Sequence, residues 1–471
     1  MFIINAMMAV SNWIWGWPLL ILTFTVAIFL SLDLRFFQFT MFCHAMKETL
    51  GKIFVKSEGT GDISPFSACC TALASTLGVG NIAGVSVAIA TGGPGSIFWM
   101  WVVALLGLIV KFSEIALALA YREKNQETGN WNGGFYWYVR KGLGENWKWV
   151  GVLWAVTMLS AMVFAPAVQI NSLASAINAS FDINPIFIGI ASSALMFVVL
   201  IGGIKSISRF AEMVVPMMAF VYTLVSLYVL VRYASAIPGV FALILKSAFN
   251  GSAASGGFAG AGVMLAIRWG FARGIYSNEA GTGAAPLAHA SATVNHPAKQ
   301  GLWGIVEVFV DTIIVCSMTA LVVLCSGVWD GGSSSAALTS EAFGVAFGNK
   351  NAGTVFVSVI ISFFAFTTAL VNVYYGEICL MALGGKKILT PYRILGCFFA
   401  VIGAGGALSM LWNLFDFFYG VCVLLNLLVC VAMHKQIAAL VRDYISRLKS
   451  GKWEETAEET ISKIPEFSPK R

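Results

Sequence analysis

The sequence predicts an all-α polytopic membrane protein with eleven transmembrane helices: one extra N-terminal helix, then two sets of five in opposite orientation. Three observations predict it. Of 471 residues, 58% are hydrophobic and only 11% charged, where a soluble domain carries about 25% charged residues. Eleven apolar runs are long enough to span, which takes about 20 mainly apolar residues. The basic residues fall in alternate loops, as topology demands of a chain that crosses repeatedly.

The runs are 13–32, 65–90, 97–120, 149–176, 185–203, 211–232, 257–282, 301–325, 353–376, 392–411 and 416–435. The first lacks a basic n-region before it, so it reads as a retained helix and not a signal peptide. Arg35, Lys47, Lys52 and Lys56 follow it, which places the N-terminus outside. The other loops agree. The inner side collects Arg122, Lys124, Arg140, Lys141, Lys148, Lys205, Arg209, Lys299, Lys386, Lys387, Arg393 and the tail from Lys435. The outer side keeps Arg232, Lys246 and Lys350. The C-terminus is then cytoplasmic, in a multi-pass plasma-membrane protein. Trp131 to Trp149 mixes aromatic and basic residues and reads as an amphipathic segment on the inner interface. The outer loop 327–352 is expected to hold a short helix near Ala342, and the charged tail after Ser446 is expected to be partly disordered. The parts are 1–56, the extra helix and first loop; 57–234, the first five helices; 235–445, the second five; and 446–471, the tail.

Composition also excludes. The net charge of +6 is accounted for by inner loops and tail, so no nucleic-acid partner is needed. Nine cysteines are scattered through apolar runs without a CxxC pair, so they read as small core hydrophobes. No HExxH, GxSxG or Cys/His cluster is present, so the chain is not expected to be an enzyme or to hold a cofactor.

Two runs look broken. The second carries Gly78, Gly80 and Gly84 with Asn81 at its middle. The seventh carries Arg268 and Arg273 around Gly270, with Gly274 following, which marks a break near 268–274. Arginines at membrane depth are costly unless they face a cavity or a partner. Glycines four apart also let helices pack closely. Matched interruptions in two inverted halves, however, point to the central site of a transporter. The physics of a break favours this. Its last carbonyls carry the negative end of one half-helix dipole and suit a small cation. Its next amides carry the positive end and suit a carboxylate.

The stretches TLGVGNIAGVSVAIATGGPGSIFWMW (76–101) and GFARGIYSNEAGTGAAP (270–286) closely resemble the two hallmark segments of the alanine/glycine:cation symporter family, and the resemblance covers essentially the whole chain. It implies sodium-coupled uptake of alanine or glycine, a small neutral amino acid, by a LeuT-type five-plus-five fold in which a monomer suffices. It implies a substrate site of Thr76, Gly78, Val79, Gly80 and Asn81, the amides of Val79 and Gly80 taking the carboxylate. It implies a sodium site of the Ala74, Leu77 and Phe364 carbonyls with the Thr367 and Thr368 hydroxyls. Threonines in membrane helices also bond back to their own i−4 carbonyls, so both roles stay open.

Other polar groups sit at depth. Gln169, with Pro166 freeing a carbonyl one turn back, is a candidate for the substrate ammonium or for helix–helix bonding. Phe164, Trp269 and Gly270 are candidate pocket walls, or core. Lys111 and Glu114, three apart, are expected to pair. Glu307 and Asp311 share a helix face, with Arg268 or Arg273 as expected partners, either as a structural network or as an inner gate. Ser277 or Asn278 is expected to cap a short helix with Glu279 in its first turn. An alternative coupling uses protons or exchange, for another small amino acid such as glutamine or serine, with Glu307 or Asp311 as carrier.

Overall fold

A computed structural model describes residues 2–126, 128–250, 259–406 and 409–467. The starts of helices follow from their caps. Ser64 accepts from the Ser67 amide at 3.0 Å ahead of Pro65, and Asn184 accepts from the Ile186 amide at 2.9 Å ahead of Pro185. His296 does the same for Ala298 at 3.0 Å ahead of Pro297. Proline suits the first helical position because the amide it lacks would have no partner there.

The chain is an all-helical polytopic membrane protein. Among the described residues, seven helices are long and apolar enough to cross a membrane: Met7–Asp33, Gly95–Ala120, Glu145–Phe181, Gly203–Arg232, Pro297–Cys325, Lys350–Ala382 and Met410–Ala432. An eighth crossing is the pair Pro65–Thr76 and Gly80–Gly92, bent by 52°. Eight of the eleven expected runs thus meet the length and composition of a crossing among the described residues. Three runs fall on lesser helices. Pro185–Ile201 and Leu389–Gly405 have 17 residues each, about 25 Å at 1.5 Å per residue, short of a core about 30 Å thick. Ala259–Asn278 carries two arginines. Residues 257–258, 407–408 and 468–471, which belong to the seventh run, the tenth run and the tail, lie outside the described residues.

Lipid-facing and protein-facing sides separate cleanly. On the 203–232 helix, Met213, Met217, Phe220, Leu224, Leu227 and Val231 are exposed at helical spacing, one apolar stripe toward the bilayer. The opposite side, with Val214, Val215, Met218 and Tyr222, is buried. Small residues allow close crossings. A Cβ on Gly403 would lie 2.3 Å from Ala167 O, and one on Gly353 would lie 2.2 Å from Gly344 N.

Three expectations are corrected here. The seventh helix runs unbroken through 268–274. Gly270 and Gly274 are packing contacts: a Cβ at either would meet Ser96 O or Val103 Cγ1 at 2.3 Å. The chain turns later, through Glu279, Gly281 and Gly283 at φ of 55°, 87° and 78°. Secondly, the aromatic segment 131–149 is not laid on an interface. Phe135, Tyr136, Trp137 and Tyr138 are buried, and Phe135 stacks on Trp154 with centroids 4.9 Å apart. Of its aromatic residues, Trp147 and Trp149 are exposed. Its basic residues turn to Glu123, which takes Arg140 at 3.0 Å and Lys141 at 2.9 Å. Thirdly, the tail is folded over its described residues, to Phe467. His434–Ser450 is a helix, and Ala457–Ser462 is a second one opened by a Thr456–Glu459 capping box. Glu458 takes Arg122 Nε at 3.2 Å and Thr60 Oγ1 at 2.7 Å, so the tail's charges find partners on the body. The helix expected near Ala342 is present as Ser335–Phe347.

Candidate functional site

The first half-helix of the bent pair ends at Thr76. Leu77 leaves helical geometry at ψ 79°, and winding resumes in a wide π-turn, Gly80–Gly84. The carbonyls before such an end have no helical partner. The Gly78 amide closes on Thr76 O and Asn81 Oδ1, both at 2.9 Å. The next amides, of Val79 and Gly80, open the second half, where no preceding turn supplies an acceptor.

The 350–382 helix packs against this break. Thr368 Oγ1 lies 3.0 Å from Ala74 O and 2.9 Å from Phe364 O, and Thr367 Oγ1 lies 3.0 Å from Phe364 O. Ala74, Phe364, Thr367 and Thr368 are thus brought together, with Leu77 fully buried at the turn beside them. One hydroxyl proton on Thr368 faces two carbonyls, so oxygens outnumber donors. Gly78 is required by this approach, because a Cβ there would sit 2.7 Å from Thr368 Oγ1.

A cavity of ≈ 630 Å³ reaches the second half-helix at Val79 and Ala83. Its other walls include Asn171, Ser172, Ser340, Thr354 and Ser358, small and polar groups that the sequence reading did not single out. Thr76 is buried, with its hydroxyl 3.4 Å from Leu73 O. Gln169 is 5% exposed, and its Oε1 has no hydrogen-bond partner among the described residues. Phe164 stands edge-on to Phe399 at 5.5 Å. Trp269 carries Arg273 over its ring at 5.1 Å. Neither these two nor Gly270 lines the cavity.

Asn81 is locked in place. Its Nδ2 donates to Asp311 Oδ1 at 2.6 Å and to Ser277 Oγ at 3.1 Å, and its carbonyl accepts from Thr319 at 2.8 Å. Asp311 sits in another π-segment, Phe309–Cys316, where it also accepts from Ser277 at 2.7 Å and Thr312 at 2.8 Å. Wide turns of this kind are concentrated at functional sites.

The expected charge pairs are corrected. Lys111 does not pair with Glu114; its Nζ lies 2.9 Å from Glu307 Oε1 and 3.0 Å from Asn278 O. His289 Nε2 holds the other Glu307 oxygen at 3.1 Å, and Gln300 links His289 to Pro65 O. Glu114 accepts instead from the Gly283 amide and Asn426. Arg268 and Arg273 meet neither Glu307 nor Asp311. Arg268 is exposed beside Trp13, Trp17 and Leu20, and Arg273 lies over Trp269 and Tyr276. Cross-helix pairs depend on helix rotation, which spacing within one helix does not reveal. Ser277 turns to Asp311 instead of capping, while Asn278 Oδ1 accepts from the Ala280 amide at 3.0 Å.

A bundle of membrane helices around one interrupted helix, with a polar cavity reaching the interruption, is the build of a membrane transporter. Residues 1–458 match the model of the sodium:alanine symporter family, and the chain belongs to that family, which is one of transporters and not of enzymes. It is 38% identical to the sodium/alanine symporter AgcS of Methanococcus maripaludis over 89% of this chain and 92% of that one. It is 35% identical to the probable sodium/glutamine symporter GlnT of Bacillus subtilis, over 94% and 91%. Among solved structures, the Eremococcus coleocola manganese transporter aligns at 10% identity and a TM-score of 0.49, over 87% of this chain and 80% of that one, a likeness too slight to argue from.

Proposed function

We propose that this chain is a sodium-coupled secondary active symporter that imports alanine or glycine by alternating access. The observation that carries the reading is the meeting of Ala74 O, Phe364 O and Thr368 Oγ1 at the break. A Na⁺ among these oxygens would tie the first half-helix to the 350–382 helix. The Val79 and Gly80 amides, at the positive end of the second half, would take the substrate carboxylate. Gln169, buried with a free oxygen, suits the ammonium. Family membership and the name of the Methanococcus relative support the same substrate and ion.

The architecture we infer is the LeuT-type inverted repeat, with the N-terminus outside and the tail cytoplasmic. Element lengths support it. In 57–234 a broken helix is followed by helices of 26, 34, 17 and 30 residues. In 235–445 the order runs from a helix that ends in a glycine turn, through the 297–325 crossing, to helices of 33, 17 and 24 residues. A short segment lies before the long helix in each half, 135–147 in one and 335–347 in the other.

The driving force is adequate. One charge crossing 100 mV supplies about 2.3 kcal/mol and a tenfold Na⁺ gradient about 1.4 kcal/mol. Together they support roughly 500-fold accumulation for one Na⁺ per zwitterion. The test is radiolabelled alanine uptake into liposomes at fixed pH, under an inward Na⁺ gradient against an equal K⁺ gradient. Concentrative uptake with Na⁺ alone is expected, and equal uptake with either ion sinks sodium coupling.

One observation favours a second reading, proton coupling or exchange of another small amino acid such as glutamine or serine. Asp311 is fully buried among neutral donors, Asn81, Ser277 and Thr312, as a proton carrier would be. On that reading Asp311→Asn abolishes coupling and Thr368→Ala does not.

A further inference from the structure

One turn along the same interface lies a second group of oxygens that the proposed sodium site does not use. Ser75 follows Ala74 at the end of the first half-helix, and Asn372 follows Thr368 by four residues on the 350–382 helix. Ser75 Oγ lies 3.0 Å from Glu279 Oε1 and 3.1 Å from Asn372 Oδ1. Glu279 stands where the seventh helix ends, at φ 55°. A serine hydroxyl has one proton to give, so Ser75 can donate to only one of these two oxygens at a time.

The surroundings sharpen the point. Glu279 is 7% exposed, and its Oε2 has no hydrogen-bond partner among the described residues. The buried phenols of Tyr375 and Tyr419 stand beside Ser75 and Glu279 and add two more oxygens to the group. Lys111, the cation that acts on it, is shared: its Nζ is held by Glu307 at 2.9 Å and Asn278 O at 3.0 Å. A buried carboxylate that only shares a counter-charge with others is unfavourable. The available ligands are all oxygens, which suit a hard cation, and the single carboxylate balances one positive charge.

We propose that Ser75, Glu279 and Asn372 form a second cation site, for Na⁺, stacked one helical turn from the site at Ala74 and Thr368. Two ions on one interface would both clamp the first half-helix to the 350–382 helix. The proposal rests on the sodium-coupled reading above, and its test separates the two.

The measurement is radiolabelled Na⁺ bound per chain at saturation, by equilibrium dialysis of the full-length protein in detergent. Wild type is expected to bind two ions, Glu279→Gln one and Thr368→Ala one. Ser75→Ala, a milder change that guards against misfolding in the glutamate variant, is expected to raise the half-saturating Na⁺ concentration for one ion roughly tenfold, as loss of one contact to a charge implies. If Glu279→Gln and Ser75→Ala bind Na⁺ as wild type does while Thr368→Ala loses an ion, the second site is overturned and sodium coupling stands. Glu279 then carries a proton. If wild type binds no Na⁺, both readings fall.

Discussion

At the residue scale the break is unforgiving. Gly78→Ala places a methyl 2.7 Å from Thr368 Oγ1, so the Thr368 hydroxyl must give up its place at the first half-helix. Sodium-driven alanine uptake is expected to fall at least tenfold, roughly the effect of losing one ion–ligand contact, with the thermal unfolding midpoint little changed. Lys111→Met is the opposite kind of change. It leaves Glu307 buried without its ammonium, and removing one partner of a buried pair costs about 3–5 kcal/mol. Its unfolding midpoint should drop by several degrees, and the double variant Lys111→Met/Glu307→Gln should recover much of the loss. Substrate choice is a softer matter. One methylene is worth only roughly 1–3 kcal/mol of discrimination, so glycine, alanine and serine are expected to compete for uptake within about two orders of magnitude. The sequence made some of this legible. Glycines flanking an asparagine are poor helix formers, so the interruption at 77–79 could be located from residue types alone. What Lys111 meets could not, because its partner lies on another helix nearly two hundred residues away.

At the scale of elements, glycine proved ambiguous for a physical reason. Gly270 and Gly274 stand in an unbroken helix because Ser96 backbone at the one and the Val103 side chain at the other leave no room for a Cβ. Gly281 and Gly283 are needed for positive φ. Both demands write the same letter, and only the packing tells them apart. The tail shows the same limit: its charge looks like solvation until Arg122 and Glu458 are seen together. Its docking carries a pH dependence. His296 meets Asp443 at 3.2 Å, with Arg447 and Lys299 nearby, and burial holds its pKa below the ordinary 6.5. The folded state therefore resists a proton that the unfolded state accepts, so this contribution is present above pH 6.5 and declines as pH falls below it. Amide hydrogen exchange in 434–462, corrected for intrinsic rates, should be faster at pH 5.5 than at pH 7.5, and His296→Gln should flatten the difference.

For the molecule as a whole, the cavity above Val79 makes orientation and coupling testable together. Ser340 and Ser172 line it, and Cys43 is the exposed cysteine among the nine. A Ser340→Cys variant in a Cys43→Ser background should react with a membrane-impermeant maleimide added outside whole cells. Alanine with Na⁺ should protect it and alanine with K⁺ should not. Labelling only in inverted vesicles would reverse the assigned topology.

The π-turns at Gly80–Gly84 and Phe309–Cys316 have one more bearing on such movement. Each winds in more residues per turn than an α-helix does, so each stores slack. Passing a single surplus residue along a helix rotates the remainder of that helix by about 100° without lengthening the rod. Asn81 and Asp311 bolt these two reservoirs together at 2.6 Å. A twist released at the broken helix would have to break that hydrogen bond or carry its neighbour with it.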